Sequence, residues 1–242
     1  MNFKDKVVVI TGGAGGIGKR MTEEFMAAGS KVAVIDLAAD GVNPDFFYQG
    51  DIADEAVLTR FVSAVINKYG KIDYLINNAC LSRKGILSGC SFDDFNYVLR
   101  VGVTAPYILT KLFLDYFKEK GAVVNISSSR AFMSQADTES YTAAKGGISA
   151  LTHALAVSLA GRVRVNSIAP GWIDTTESKW SEEDEKQHPV KRIGNPLDIV
   201  KTVMFLCSED SGFIDGENIT VDGGMTKLMI YHNENGWKYE EF

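Results

Sequence analysis

The first 36 residues of the chain contain a succession of elements that strongly constrains the fold. A β-branched stretch, residues 6–11, is typical of a buried parallel strand and leads directly into the glycine-rich turn 12–18. An amphipathic helix at 19–28 follows, and a second apolar strand at 31–35 ends at Asp36. Glycines let a backbone approach a phosphate closely, and a helix start presents free N–H groups to it. This order of elements therefore predicts a dinucleotide-binding unit.

Asp36 predicts which dinucleotide the unit prefers. A carboxylate at the end of the second strand can accept hydrogen bonds from the hydroxyls of the adenosine ribose. The same charge would repel a 2′-phosphate, and neither the glycine turn nor the residues beside Asp36 offer a lysine or arginine to offset it. The sequence therefore predicts NAD as the cofactor.

Ser128, Tyr141 and Lys145 are the candidate catalytic residues. Tyr141 and Lys145 are four residues apart, which places them on one face of a helix. The lysine charge favours the phenolate form of the tyrosine, and a serine hydroxyl from a neighbouring strand can hold a substrate oxygen beside the phenol. Side chains have no hydride chemistry of their own, so such a site needs a cofactor. The group indicates proton transfer to or from an alcohol/ketone pair.

Strand and helix patterns alternate along the rest of the chain. Further strands are predicted at 46–51, 73–77, 122–127, 163–169 and 218–222, and helices at 55–69, 92–120 (bent near Pro106), 141–159 and 195–208. Alternation with right-handed crossovers predicts an α/β fold: a Rossmann-type doubly wound parallel sheet in a single domain, residues 1–242, with helices on both faces. Residues 225–242 form a C-terminal tail. Ligands of such sheets bind beyond the carboxyl ends of the strands, so the motifs should meet at one cleft.

Several short motifs occur in a fixed order along the chain. They are Thr11-Gly12-x-x-x-Gly16-Ile17-Gly18, Asp51-Ile52, Asn77-Asn78-Ala79, Asn125-Ile126-Ser127-Ser128, Tyr141-x-x-x-Lys145, Pro170-Gly171 and Val221-Asp222-Gly223-Gly224. In order and spacing these motifs resemble the short-chain dehydrogenase/reductase family, over residues 6–224.

The resemblance implies a role for each matching residue. Tyr141 would be the general acid/base, Ser128 would orient the substrate oxygen, and Lys145 would also bind the nicotinamide ribose. Besides Tyr141 and Lys145, the residues implied to contact the cofactor are Gly12, Gly15, Gly16, Ile17, Gly18, Asp36, Leu37, Asp51, Ile52, Asn78, Ala79, Pro170, Gly171, Ile173 and Thr175.

Two positions depart from the family pattern. Gly102 stands where the family usually has a fourth catalytic residue, an asparagine that helps to hold a proton-relay water. A glycine leaves space in which a water could bind backbone groups instead, so we expect turnover to persist. Cys80 stands where the family's Asn-Asn-Ala motif continues with glycine, at a position close to the cofactor.

No motif specifies the substrate. Residues 130–139 should overhang the cleft together with residues 81–83 and Trp172, and their charged and amide groups suit a small polar substrate such as a sugar or polyol. One alternative is a 3-oxoacyl-carrier-protein reductase, although such enzymes usually prefer NADP and Asp36 argues against that. A non-catalytic NAD-binding sensor is the other alternative, and Gly102 is its main support.

Composition and charge exclude several other classes of protein. A net charge of −6 argues against a nucleic-acid-binding surface. The three cysteines form no paired framework and the three histidines show no metal-ligand spacing, so we expect no metal and a cytoplasmic location. We expect no signal peptide, because the chain leads straight into the first strand. We also expect no apolar run long enough to span a membrane.

Apolar surface predicts self-association. The predicted helices 92–120 and 141–159 are apolar over wide arcs, which favours a homo-oligomer, a dimer or tetramer. The tail adds the apolar residues Met225, Leu228, Met229, Ile230, Tyr231, Trp237, Tyr239 and Phe242. We expect these to pack on the last strand or on a neighbouring subunit.

Overall fold

The computed structural model describes residues 1–39, 41–238 and 240, and its seven strands form one parallel sheet. The strands are β1 (Val7–Thr11), β2 (Lys31–Asp36), β3 (Phe46–Gln49), β4 (Ile72–Asn77), β5 (Phe117–Ile126), β6 (Val163–Pro170) and β7 (Asn218–Val221). Their order across the sheet is β3-β2-β1-β4-β5-β6-β7. The predicted doubly wound α/β fold is confirmed, and the strand order reverses between β1 and β4, where such sheets bind ligands.

Helices cover both faces of the sheet. They are α1 (Gly16–Ala27), α2 (Glu55–Tyr69), α3 (Phe92–Leu99), α4 (Ala105–Phe113), α5 (Glu139–Ser158), α6 (Glu182–Lys186) and α7 (Pro196–Cys207). One buried apolar cluster includes Phe61 of α2, Phe113 of α4 and Leu155 of α5. The other includes Phe25 of α1 and Val203 of α7. The sheet is thus buried on both faces, which explains why its central strands are continuous apolar runs.

The helix predicted at 92–120 ends earlier than expected and is interrupted in its middle, so its predicted end is wrong. A π-helical turn, Arg100–Thr104, separates α3 from α4 just before Pro106, and the helical segment ends at Tyr116. Phe117 begins β5 and is in register with Ile72 of β4. The extended conformation is favoured here because the next residue, Lys118, reaches the buried carboxylate of Asp73 at 2.8 Å.

The segment Phe92–Tyr116 also corrects the expectation about apolar runs. By length and composition it could cross a membrane, with a mean hydropathy of 1.2 over its most apolar window. Helices in protein cores pass the same test, and 44% of that window is buried within this protein. Val98, Leu109 and Phe113 of this segment are fully enclosed. Burial in the core is sufficient to account for its apolar composition.

The C-terminal tail does not pack on the last strand in the way expected. A short 3₁₀ turn, Met225–Lys227, follows β7, after which Met229 is 73% exposed and Tyr231 63% exposed. Leu228 and Trp237 are exposed as well. Tyr239 and Phe242 lie outside the described residues. Contact of the tail with a neighbouring subunit stays a prediction.

Candidate active site

The glycine turn brings the start of α1 against the end of β1. A β-carbon on Gly18 would lie 1.9 Å from the carbonyl oxygen of Gly12, so only glycine fits this contact. Gly12 has a φ of +64°, in the left-handed region that favours glycine. The first helical N–H groups are left available, because Gly15, the residue before α1, provides no side-chain cap, whereas Asp54 caps α2 and Asn195 caps α7. An uncapped helix start beside a glycine turn fits a bound pyrophosphate.

A cleft of about 530 Å³ opens over this turn at the carboxyl edge of the sheet. Eleven of the predicted cofactor residues line it: Gly12, Gly15, Ile17, Gly18, Asp36, Leu37, Asp51, Ile52, Asn78, Ala79 and Thr175. Asp36 is fixed at the cleft by the Ala14 N–H, which donates to its carboxylate at 2.9 Å. The cleft brings together the ends of β1, β2 and β4 and the residues that follow β3.

Asp51 is held in the cleft wall by two groups. It accepts a hydrogen bond from the Ala53 N–H at 2.8 Å and one from the Tyr97 hydroxyl at 3.1 Å. Burial of the phenol and its bond to Asp51 raise the pKa of Tyr97, so the hydroxyl stays protonated and donates. Asp51 does not cap the following helix, since that position belongs to Asp54. Tyr97 is a cleft residue that no sequence motif indicated.

The two asparagines after β4 have different structural roles. The Asn78 amide donates to the carbonyl oxygens of Thr11 and Gly12 at 3.1 and 2.9 Å, which ties the glycine turn to β4. The Asn77 amide donates to Asn125 on β5 at 2.8 Å and is buried below the cleft. Asn78 therefore shapes the cleft, and Asn77 joins neighbouring strands beneath it.

Lys145 is buried behind Tyr141. Its ammonium group donates to the carbonyl oxygen of Ile126 at 2.7 Å and lies 5.4 Å from the centre of the Tyr141 ring. The Ser127 hydroxyl donates to the Lys145 carbonyl oxygen at 3.0 Å, which fixes α5 against the end of β5. A lysine has three N–H donors, so donors beyond the one used for Ile126 remain available to a ligand.

Ser128 and Tyr141 line a second cavity, of about 600 Å³, at the same edge of the sheet. Its other lining residues are Ser129, Arg130, Met133, Ser134, Gln135, Gly171, Trp172, Ile173, Gln187 and Met225. Two of the predicted candidate catalytic side chains thus face a common space, while Lys145 lines neither cavity. Both cavities open at the edge of the sheet where the motifs were expected to meet, one beyond β1, β2 and β4 and one beyond β5 and β6.

Besides Tyr141 and Lys145, four predicted cofactor residues lie outside the first cleft. Gly171 and Ile173 line the second cavity, and Pro170 is buried at the end of β6. Gly16 lines a third space, on the far side of Thr175. Contact of these four residues with a cofactor stays a prediction.

The segment expected to overhang the substrate does so only in part. Arg130, Met133, Ser134, Gln135 and Trp172 line the second cavity, whereas Leu81 and Arg83 line the cofactor cleft. The acidic residues of the segment bind elsewhere: Asp137 accepts the Leu87 and Ser88 N–H groups, and Glu139 accepts the Ile86 N–H. Gln187 and Met225 were missed, because each lies in a loop without a periodic pattern that could have indicated its direction.

Gly102 leaves no space of the kind expected. A β-carbon at this position would lie 2.8 Å from the β-carbon of Ala144, the neighbour of Lys145 on α5. The expectation of a vacated, water-accessible space beside Gly102 is therefore wrong. The Gly102–Ala144 contact instead allows the π-helical turn to pack closely against α5. Cys80 lines the cofactor cleft nearby, and its sulfur would lie 3.8 Å from a β-carbon added to Gly102.

Comparisons with known proteins agree with this geometry. Residues 12–226 match the family model described as enoyl-(acyl carrier protein) reductase. An uncharacterized oxidoreductase of Thermotoga maritima is 39% identical over 255 residues, covering 95% of this chain and 99% of that protein. The 3-oxoacyl-[acyl-carrier-protein] reductase of the same organism is 31% identical over 247 residues, covering 93% and 99%. An apo SCOR enzyme from Clostridium thermocellum is 46% identical with a TM-score of 0.92, covering 98% and 99%.

The matches extend over nearly the whole chain and include both cavities. The glycine turn, the two cavities at the carboxyl edge and the serine, tyrosine and lysine all fall within the matched residues. The chain is therefore an oxidoreductase that belongs to the short-chain dehydrogenase/reductase family.

Proposed function

We propose that this protein is an NAD-dependent oxidoreductase that interconverts a secondary alcohol and its ketone, acting on a small polar substrate such as a sugar or polyol. The observation that carries the proposal is the shared cavity of Ser128 and Tyr141, with the Lys145 ammonium group behind the Tyr141 ring. A serine hydroxyl, a phenol and a cation in this arrangement suit proton transfer at an alcohol oxygen.

Each of the three side chains has a distinct task in the proposed reaction. Ser128 donates a hydrogen bond to the substrate oxygen and holds it beside the Tyr141 hydroxyl. Tyr141 takes the alcohol proton during oxidation and returns a proton to the carbonyl oxygen during reduction. Lys145 places its positive charge 5.4 Å from the centre of the Tyr141 ring and also binds the nicotinamide ribose. A nicotinamide cofactor, when bound, exchanges a hydride with the carbinol carbon.

Asp36 supports NAD as the cofactor. Its carboxylate is fixed at the ribose end of the cleft by the Ala14 N–H, and its neighbours Leu37 and Ala38 are uncharged. Within the part of the chain that the structure describes, no lysine or arginine nitrogen lies within 4.0 Å of this carboxylate. A 2′-phosphate here would be repelled by this negative charge.

The remaining assignments are part of the same proposal. All the cofactor contacts implied by the sequence are retained, including those of Gly16, Pro170, Gly171 and Ile173. We also retain a cytoplasmic location and a homo-oligomer, a dimer or tetramer. The exposed apolar side chains of Phe92 and Val157 on the outer helices, 83% and 79% exposed, support self-association.

The proposal is tested by cofactor and substrate titrations. Purified protein is mixed with NAD or NADP and a panel of secondary alcohols, and NADH fluorescence is followed. We expect turnover with NAD and weaker binding of NADP, with a narrower affinity gap in Asp36→Ala. Equal or tighter NADP binding by the native protein would refute the NAD assignment. Cofactor binding without turnover of any alcohol or ketone would refute the catalytic one.

A 3-oxoacyl-carrier-protein reductase is the second candidate, favoured by the 31% identity to the Thermotoga maritima reductase of that class. Reduction of an acetoacetyl thioester at rates far above those with any free alcohol or ketone would support it. The sensor alternative is weakened, because Gly102 is explained by close packing against Ala144.

A further inference from the structure

The second cavity contains a cation that the proposed reaction does not use. Arg130 is half-buried, lines the cavity, and places its guanidinium carbon 5.5 Å from the centre of the Tyr141 ring. Its backbone N–H donates to the Ser128 hydroxyl oxygen at 3.1 Å. Arg130 is thus adjacent to both residues that would hold the reacting oxygen.

The guanidinium group of Arg130 is not neutralised by an acid of the described residues. Arg162 and Arg192 each pair with an aspartate at 2.9 and 2.7 Å, but no carboxylate in the described part of the chain lies within 4.0 Å of Arg130. The acidic residues of the same segment, Asp137 and Glu139, instead accept hydrogen bonds from backbone N–H groups of residues 86–88.

Arg130 has a neutral hydrogen-bond partner, Gln135, which uses one of the guanidinium N–H donors. One guanidinium nitrogen donates to the Gln135 side-chain oxygen, which orients the group. A guanidinium has five N–H donors in a planar fork that matches the two oxygens of a carboxylate or phosphate. The other polar lining residues, Ser134 and Gln187, are uncharged and can complete the shell of an oxyanion.

We infer that Arg130 determines substrate specificity and selects an alcohol or ketone that carries an oxyanion, a carboxylate or phosphate, close to the reacting carbon. This inference rests on the proposed function and narrows its substrate class from neutral polyols to hydroxy acids, sugar acids or sugar phosphates. In oxidation the carbinol carbon loses hydride to NAD and the hydroxyl proton goes to Tyr141. The substrate becomes a keto acid or keto phosphate.

Matched pairs of substrates test the inference. Each pair has one carbon skeleton in an anionic and a neutral form: a 2- or 3-hydroxy acid against its primary amide, a sugar acid against the sugar, and a sugar phosphate against the sugar. The native enzyme should show a higher kcat/KM for one anionic class than for its neutral counterpart. The acid and phosphate arms identify which oxyanion is preferred.

Variants separate recognition of charge from support of Tyr141. Arg130→Gln should lower kcat/KM for the anionic member by about 10- to 100-fold and change that for the neutral member by less than about threefold. Arg130→Lys should retain part of the preference, because it keeps the charge but loses the fork. Arg162→Gln, which removes the same charge from a distant exposed ion pair, should leave both unchanged.

Two results would overturn the inference, and both differ from failure of the proposed function. Equal losses on charged and neutral substrates in Arg130→Gln would make Arg130 a support for Tyr141. A native preference for the neutral members would exclude an oxyanion. If neither member of any pair turns over, the catalytic proposal fails, and tryptophan fluorescence still tests the subsite. Malonate or inorganic phosphate should then perturb the tryptophan emission, to which Trp172 of the cavity contributes, in the native protein and fail to do so in Arg130→Gln. No response of the native protein to either anion would refute the subsite.

Discussion

The cofactor cleft and the substrate cavity share one edge of the sheet but differ in what forms their walls. The cleft is lined by residues at strand ends and by the tightly packed glycine turn, where a single methyl on Gly18 would collide with Gly12. The cavity is formed mainly by side chains of loops and turns, and four of them, Met133, Ser134, Gln135 and Gln187, are exposed. The identity of a cleft residue is therefore limited by shape, whereas that of a cavity residue is limited by the ligand. Selectivity for the substrate is expected to lie in the loops.

Loss of the Tyr141 hydroxyl should have the largest effect, because it removes the group that transfers the proton, whereas the other substitutions change only packing or binding. Tyr141→Phe should lower kcat by a factor on the order of 10²–10⁴ while leaving the affinity for NAD within about threefold. Absorbance at saturating substrate and cofactor titration measure the two quantities. Tyr116→Phe on the exposed end of the helical segment is the matched control. A near-native rate in Tyr141→Phe would contradict the assignment.

Gly18→Ala and Gly15→Ala test whether the cleft is limited by shape. A methyl at Gly18 would meet the immobile backbone of Gly12, so we expect Gly18→Ala to lower the free energy of unfolding by about 3 kcal/mol. We also expect this variant to bind NAD more weakly. A β-carbon added to Gly15 would have no atom within 4 Å, and the φ of Gly15 is −135°, so alanine fits there. Denaturant unfolding and NAD titration compare the two variants. Equal effects would contradict the claim that shape limits the residues of the cleft.

Gly102→Asn tests the contact between the helical segment and α5. The side chain would have to displace Ala144, so we expect a destabilisation of about 1–3 kcal/mol and no gain in turnover. Ala144→Gly removes the opposing methyl, and the double variant should recover part of the loss beyond the sum of the single changes. Urea unfolding of the four proteins measures this coupling. A stable Gly102→Asn protein with faster turnover would restore the view of Gly102 as a disabling change.

Asp137→Asn should have the smallest and most local effect. The Ser88 hydroxyl, followed by the Leu87 and Ser88 N–H groups, holds the pKa of Asp137 below its ordinary value. The charged contact is therefore complete above about pH 4 and is lost as the pH falls below it. At neutral pH the variant should exchange the Leu87 and Ser88 amide hydrogens faster, with unchanged unfolding. Asp115→Asn is the control, and unaltered exchange would show that the charge does not hold this loop.

Parts of the fold that repeat a simple period could be predicted from the sequence. The alternation of strands and helices and the convergence of strand ends at one edge follow from local patterns. The end of the helix predicted at 92–120 could not be predicted. Its reversal into β5 depends on Ile72 and on the buried carboxylate of Asp73, which are distant in sequence.

Some positions of the candidate site could likewise be predicted from the sequence, and others could not. The positions of Gly12, Asp36 and Ser128 at strand ends could be predicted, because parallel strands bring their carboxyl ends to one edge. The role of Tyr97 beside Asp51 and the presence of Gln187 in the second cavity could not, since no periodic pattern fixes where a loop or a partly exposed helix residue points.

By itself the sequence determined the fold class, the glycine turn and the three side chains proposed for proton transfer, because each depends on residue type and local spacing. Only the tertiary structure decided that Gly102 is closed off by Ala144 and that Gln187 lies in the cavity lined by Ser128 and Tyr141. It also decided that Asp137 and Glu139 turn to a neighbouring loop while Arg130 faces the substrate cavity. These features arise from packing between segments far apart in the chain, and such contacts have no local pattern.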